Sequence, residues 1–423
     1  MDYQPRVVDK LLGDLLEDLP AVSVEGAKGV GKTASAERLA SAVLALDDAA
    51  LRTNVTAQPS IVTRFAPPTL IDEWQLVPAV WDVVRREVDR ERTPGRFLMT
   101  GSATPAAQSR THSGAGRIVR LVMRPMTLPE RGATTPTVSF AELLGGGKPA
   151  IEGVASMDLV GYTEEILASG LPGVRQDPEK WRARQLDSYI DEALDIEIPA
   201  LGAEVRRPQA LRAWLTAYAA ATATTTSYTA ILDAATPGES DKMSKPTASA
   251  YRQLLERIRL LDQLPAWVPS LNPMTRLGQA PKHHLVDPAL AAVLLGATEQ
   301  SLLDGSAGGP SPRDGSLLGA LFESLVAMTV RVFAEPLGAR VSHMRTRDGA
   351  HEIDLIVERA DHKVLAIEVK LAAAVKRDDA KHLNWLEAQI GGQVIEKVVV
   401  NTGPIAQRLA DGTVVVPLAL LGG

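Results

Sequence analysis

"AVSVEGAKGVGKTASAERLA", residues 21–40, reads as an apolar strand, a glycine-rich loop and then a helical pattern. The loop fits GxxxxGK[ST] at Gly26, Ala27, Lys28, Gly29, Val30, Gly31, Lys32 and Thr33. Phosphates suit such a loop because the glycines let successive backbone N–H groups turn inward around an anion. The helix beginning near Lys32 aims its positive end at the same place. The expected ligand is ATP, with Lys32 on the β and γ phosphates and Thr33 on Mg²⁺. A fortuitous glycine-rich turn is the alternative, and the flanking strand and helix argue against it.

Hydrolysis needs a carboxylate on the metal side and a base, both on a neighbouring strand. "PPTLIDEWQL", residues 67–76, supplies Asp72 to hold Mg²⁺ and Glu73 to orient or deprotonate the attacking water. A third strand, "GRFLMTGSATP" from residue 95, ends in Thr100 and Ser102. Their hydroxyls would either sense the γ phosphate or cap a turn. From Arg96 to Pro129 the chain carries Arg96, Arg110, Arg117, Arg120 and Arg124 and no Asp or Glu. Arg117 and Arg120 read as arginine fingers acting on a neighbouring subunit in a homo-oligomer, as contacts to a phosphate backbone, or as a solvated face. The segment "ERLASAVLALDD" reads as a helix packed on the sheet.

Past residue 203 the pattern becomes helical: "PQALRAWLTAYAAATA", "SYTAILDAA" and "SKPTASAYRQLLERIRLLDQL", the last with Ser244 as N-cap. In the third, Tyr251, Leu254, Leu255, Ile258 and Leu261 form one apolar stripe, which leaves Lys245, Thr247, Ser249, Arg252 and Gln253 outside. "LPAWVPS" and "PKHHLVDPAL" read as a two-strand wing. This is a helix-turn-helix layout, serving either a major groove or a protein contact.

The cluster "LLDGSAGGPSPRDGS" marks a linker or long loop. Beyond it the pattern is a helix over about 317–334, then strands at "ARVSHMRT", "HEIDLIVE" and "KVLAIEVK", a helix at "RDDAKHLNWLEAQI" and a strand at "EKVVVNT". In the hairpin "EIDLIVERADHKVLAIEVK" the apolar residues Ile353, Leu355, Val357, Leu365, Ile367 and Val369 alternate onto one face, with Asp354, Glu368 and Lys370 on the other. A turn centred near Asp361 sets Asp354 opposite Glu368, with about 5 Å between their Cβ atoms. Two facing carboxylates need a positive partner, either Lys370 or a divalent cation. Carboxylates on Mg²⁺ beside a lysine are what metal-dependent phosphodiester hydrolysis asks for. A salt-bridged trio on a solvated face is the bland alternative.

Composition narrows the function classes. The chain has 423 residues, 45% hydrophobic and 23% charged, and its length fits two to four domains. With no Cys, disulfides, thiolate zinc sites and a Cys nucleophile are excluded, and the expected address is the cytoplasm. The seven His show no ligand spacing. No apolar run approaches the roughly 20 residues of a membrane helix, so no membrane partner is expected. A net charge of −6 exerts no global pull on nucleic acid.

The phosphate loop, "LIDEWQ", "FLMTGS" and "GRIVRLVMRPMTLPE", in that order, resemble a bacterial and archaeal group of AAA-type ATPases that carry a C-terminal domain of unknown function. "RARQLDSYIDEALDIEIPALG" looks like the segment that closes the ATPase core. The helical middle is similar to the winged domain of origin-binding relatives. Asp354, Glu368-Val369-Lys370 and a preceding helix residue, Glu323, resemble the D…(D/E)xK motif of restriction-endonuclease-like nucleases, which implies metal at Asp354, Glu368 and Glu323. The resemblance implies an α/β chain with a P-loop AAA-type ATPase domain over 1–203, a winged-helix domain over 204–304 and a restriction-endonuclease-like α/β domain over 305–423. The two phosphate-chemistry motifs and the arginine stretch point to ATP hydrolysis coupled to nucleic acid, DNA above all, with a nuclease-like end. The alternative is a nucleotide-gated switch that binds proteins through an inert nuclease fold.

Overall fold

The computed structural model describes residues 3–102, 115–203, 205, 207–236, 243–267, 280–304, 317–347 and 349–423. Arg110 and most of the expected linker lie outside the described residues. The chain divides into two compact units: Met1–Arg124 with Asp195–Val205 and Arg252–Leu260, and Pro125–Leu194 with Arg206–Tyr251 and Leu261–Gly423. This differs from three consecutive domains because two short later segments return to the first unit. Charge pairs tie them there: Glu197 lies 3.8 Å from Lys28, and Arg259 pairs with Glu25.

In the first unit, β1 (Ala21–Glu25), β2 (Ala42–Ala45), β3 (Thr69–Asp72), β4 (Phe97–Gly101) and β5 (Val119–Val122) form a wholly parallel sheet in the order β2-β3-β4-β1-β5. Every residue of β1, β3 and β4 is buried, as expected of parallel strands covered on both faces. The helix Ala79–Arg90 buries Val80, Trp81, Val83, Val84 and Val88. Trp81 packs against Trp74 with ring centroids 4.7 Å apart.

The helix after the phosphate loop stops at Glu37, and Ala42–Ala45 form the edge strand β2. The single helix expected through "ERLASAVLALDD" is therefore replaced by helix, strand and a second helix at Ala49–Ala57. Pairing along β3 (Val43 with Leu70, Leu44 with Ile71) outweighs the helix propensity of an Ala/Leu-rich run.

In the second unit, β6 (Val138–Ser139) pairs with β13 (Leu421–Gly422). The main sheet holds β7 (Arg340–Arg345), β8 (Glu352–Glu358), β9 (Val364–Lys370), β10 (Val394–Asn401), β11 (Gln407–Arg408) and β12 (Val414–Pro417), in the order β11-β12-β10-β9-β8-β7. Strands β7, β8 and β9 are antiparallel neighbours, whereas β10 runs parallel to β9 and β12. The sequence reading missed β11 and β12; β12 is a four-residue apolar run, too short for periodicity to separate from a loop.

Neither face of the β8–β9 hairpin is open. Ile356, Val364 and Ala366, on the acidic side, lie in a core with Leu383 and Leu386 of the helix Lys381–Ile390. The helix Leu317–Ala334 is long and apolar enough to cross a membrane, contrary to the expectation that no run approaches that length. It is 72% buried, with Phe322 edge-on to Tyr162 and Phe333 against Phe140.

In the middle, helices Pro208–Ala220, Tyr228–Ala235 and Lys245–Arg257 precede two short extended segments. These pair antiparallel at Leu261–Leu285 and Leu264–Lys282, and Ala266 pairs with His343 of β7. Ser244 caps the third helix, its Oγ accepting from Thr247 N at 3.3 Å.

His284 is buried, with neither ring nitrogen hydrogen-bonded among the described residues. Burial, with Lys282 and Arg331 nearby, pushes its pKa down to about 3. Below the ordinary histidine pKa the unfolded chain takes up a proton that the folded chain refuses, so this residue's contribution to stability is intact at pH 7 and is lost as the medium becomes acid. The expected loss is about 2 kcal/mol between pH 7 and pH 5. Urea unfolding of the native chain against His284→Asn at the two pH values checks this: the difference in stability between the two proteins should shrink by that amount at pH 5.

Candidate functional site

The order β3-β4-β1 decides what meets what. Register places Val24 beside Thr100 and Ile71 beside Met99, so the C-terminal ends of β1, β3 and β4 lie along one edge. In parallel sheets ligands bind outside the carboxyl ends of strands. Here that edge carries the glycine-rich loop, Asp72-Glu73 and Ser102.

The loop approaches its own sheet too closely for any side chain at Gly26, where a Cβ would sit 2.3 Å from Met123 O. Gly29 and Gly31 take left-handed φ values of 76° and 100°. Lys32 is buried, and its Nζ donates to Gly26 O at 3.0 Å and Ala27 O at 2.9 Å. Burial holds its pKa below the usual lysine value despite the nearby carboxylates of Glu73, Asp72 and Glu197. An ammonium hydrogen-bonded to carbonyls, with its nearby carboxylates not in direct contact, retains capacity for an anion.

Thr33 Oγ1 donates to Asp72 Oδ1 at 2.9 Å, and Thr100 Oγ1 donates to the same oxygen. The hydroxyl and carboxylate suited to Mg²⁺ thus already touch. Glu73 follows the strand in a left-handed conformation, φ 52°. Its carboxylate accepts from Gln75 Nε2 and, at 3.4 Å, from Ser102 Oγ; Gln75 Nε2 also reaches Ser102 Oγ at 3.3 Å. Ser102 therefore touches the expected base. Gln75 escaped the sequence reading, although it stands two residues past Glu73 in the same motif.

The arginine-rich stretch finds its acids elsewhere in the chain. Arg117 Nε donates to Asp89 at 2.6 Å, Arg96 to Glu87 at 2.6 Å, and Arg120 lies 3.3 Å from Glu25. Arg117 is thus paired within its own subunit and not presented as a bare finger.

In the second unit β8 and β9 pair Leu355 with Ile367 and Ile356 with Ala366; Asp354 directly precedes Leu355 and Glu368 directly follows Ile367. Lys370 Nζ donates to Glu368 Oε1 at 2.8 Å, and Val369 N donates to Asp354 Oδ2 at 2.9 Å. The partner of Asp354 is Lys282, which is 1% exposed. Its Nζ lies 2.8 Å from Asp354, 2.8 Å from Glu323 and 3.0 Å from Glu352. The structure thus brings together Glu323, Asp354, Glu368 and Lys370 and adds Lys282 and Glu352.

Glu368 is buried, unlike the solvated face of the alternative reading, and ammonium groups stand beside the carboxylates expected to hold metal at Asp354, Glu368 and Glu323. No group of three or more Asp, Glu or His among the described residues is arranged to hold a metal ion. Sequence spacing carried no signal for Lys282, which is 72 residues from Asp354 in a segment read as a wing.

The charges are strongly shifted. Burial, then Asp354, pushes Glu368 up to about 8 and Glu323 up to about 7. Burial also opposes ionisation of Asp354, but Lys282 holds its pKa below the usual carboxylate value. Burial would lower the pKa of Lys282; Asp354, Glu323 and Glu352 outweigh it and hold the amine well above the ordinary value.

Residues 18–131 match the family model of the AAA domain, residues 160–301 a domain of unknown function (DUF8612), and residues 318–421 a domain of unknown function (DUF4143). Uncharacterized proteins of Mycobacterium tuberculosis and Mycobacterium bovis are each 26% identical over 311 residues, which cover 71% of this chain. The match spans 60% of the length of those relatives. The Walker-type ATPase of Pyrococcus abyssi aligns with 69% of this chain and 99% of its own, at 14% identity and a TM-score of 0.40. The phosphate loop and its carboxylates lie within the AAA-domain match, which supports a P-loop ATPase for the first unit's parallel sheet, and residues 318–421 carry the match to DUF4143.

Proposed function

We propose that the chain binds and hydrolyses Mg·ATP at the ends of β1, β3 and β4, and that this cycle gates the binding of a protein partner. The observation that carries the first part is the contact of Thr33 with Asp72 beside a buried Lys32 whose hydrogen bonds among the described residues go to loop carbonyls. Lys32 and the loop amides would hold the phosphates, and Thr33 and Asp72 would hold Mg²⁺. The ion would neutralise charge that develops on the transferred phosphoryl group. Glu73, oriented by Gln75 and Ser102, would take a proton from water. Gating of a protein partner is favoured over strand cleavage because Lys282 sits among the carboxylates that cleavage would require for metal.

A second reading, action on DNA or RNA, is favoured by the exposed Lys245, Thr247 and Gln253 on the helix Lys245–Arg257. It would require metal in place of Lys282 for any nuclease chemistry. In a homo-oligomer, Arg117 would have to leave Asp89 to act in trans.

Glu73→Gln should lower ATP turnover by about 100-fold or more while nucleotide still binds, whereas Lys32→Ala should lose binding itself. Phosphate release and a fluorescent-nucleotide titration separate the two, and unchanged turnover in Glu73→Gln would remove Glu73 as the base. Gly26→Ala should weaken nucleotide binding by at least about tenfold with an unchanged circular dichroism spectrum, because the loop must shift to clear Met123 O. ATP turnover measured with and without DNA or RNA, at low and high salt, decides between the readings. Turnover indifferent to both polymers is expected; salt-sensitive stimulation by either would replace partner gating with action on nucleic acid.

A further inference from the structure

Lys282 reaches its carboxylates from three directions. Glu323 stands on the helix Leu317–Ala334, Glu352 and Asp354 stand on β8, and one oxygen of each lies 2.8 to 3.0 Å from a single nitrogen. Lys282 is itself held by its backbone, since its N–H and C=O both pair with Leu264, at 2.9 and 3.0 Å. Three carboxylates exceed the charge of one ammonium, and a buried carboxylate without a counter-charge is costly.

A fourth carboxylate adds an independent mark. Glu368 is 6% exposed, and its Oε2 has no hydrogen-bond partner among the described residues. Both Asp354 and Lys282 act on its charge. An all-oxygen donor set of this kind suits a hard cation, not zinc or copper. Distances of 2.8 to 3.0 Å fit an ammonium donor; Ca²⁺ would draw the oxygens in to about 2.3–2.6 Å, a movement within the reach of side chains.

We infer that this cluster is a cation site whose occupant is the chain's own Lys282 ammonium, and that removing that ammonium leaves a site for a hard divalent cation formed by Glu323, Glu352, Asp354 and Glu368. The inference rests on the geometry of the cluster and is independent of ATP hydrolysis and of the nature of the partner. A tethered ammonium competes at a high local concentration set by the fold, so the native chain excludes the metal.

The test uses the full chain without nucleotide, comparing native protein, Asp354→Asn, Lys282→Met and Lys282→Met/Asp354→Asn. Ca²⁺ and Mn²⁺ are titrated by calorimetry, and melting is followed with and without Ca²⁺. Lys282→Met should bind Ca²⁺ at least about tenfold more tightly than the native chain, gain melting temperature on its addition, and lose both effects with Asp354→Asn. A folded Lys282→Met that binds no better than native overturns the inference. So does native protein that binds equally well and loses that binding on Asp354→Asn alone. If Lys282→Met does not refold in plain buffer, refolding in about 10 mM Ca²⁺ supports the inference, and failure in both solutions overturns it.

Discussion

A lysine ammonium removed from water must be matched by protein dipoles or by opposite charge, and the two units meet this constraint in opposite ways. Lys32 is held by two loop carbonyls, so its charge is solvated but not neutralised, and burial keeps its pKa low. Lys282 faces three carboxylates, which neutralise it and drive its pKa up. The first lysine still has capacity for an anion and the second has none. The same side chain, equally buried, is a ligand-binding group in one place and a counter-ion in the other.

The parallel sheet gives Lys32 its setting. Because β4 lies between β1 and β3, the glycine-rich loop, the Asp72-Glu73 pair and Ser102 come from three adjacent strands and end on one edge. Hydroxyls from the helix after the loop and from β4 converge on Asp72, and Gln75 and Ser102 converge on Glu73. Each carboxylate is therefore oriented by at least one group remote in sequence, the preorganisation that electrostatic catalysis depends on.

Runs of like charge along a chain do not survive as patches when neighbouring elements supply the opposite sign. Thirty-odd residues without an acid suggested a basic surface, but the helix Ala79–Arg90 contributes Glu87 and Asp89 to Arg96 and Arg117, and β1 contributes Glu25 to Arg120. The β8–β9 hairpin shows the same effect for polarity. Its alternation read as a half-exposed strand pair, yet the helix Lys381–Ile390 covers the acidic side and converts Glu368 from a surface carboxylate into a buried one.

Local chemistry was legible without coordinates wherever one short segment had to satisfy it alone. GxxxxGKT requires glycines at Gly26 and Gly31 for backbone reasons, and the strands that lead to Asp72 and Ser102 announce themselves by short apolar runs. The hairpin's register, from Leu355 with Ile367 to Glu358 with Val364, followed from its length and alternation. Tertiary structure alone decided which charges meet. Lys282 with Asp354, Arg117 with Asp89 and Arg259 with Glu25 join positions that no local period connects. It also made β2 a strand, because an edge partner outweighs helix propensity, and returned residues 195–205 and 252–260 to the first unit. Backbone geometry is a property of neighbours in sequence; neutralisation of a buried charge is a property of neighbours in space.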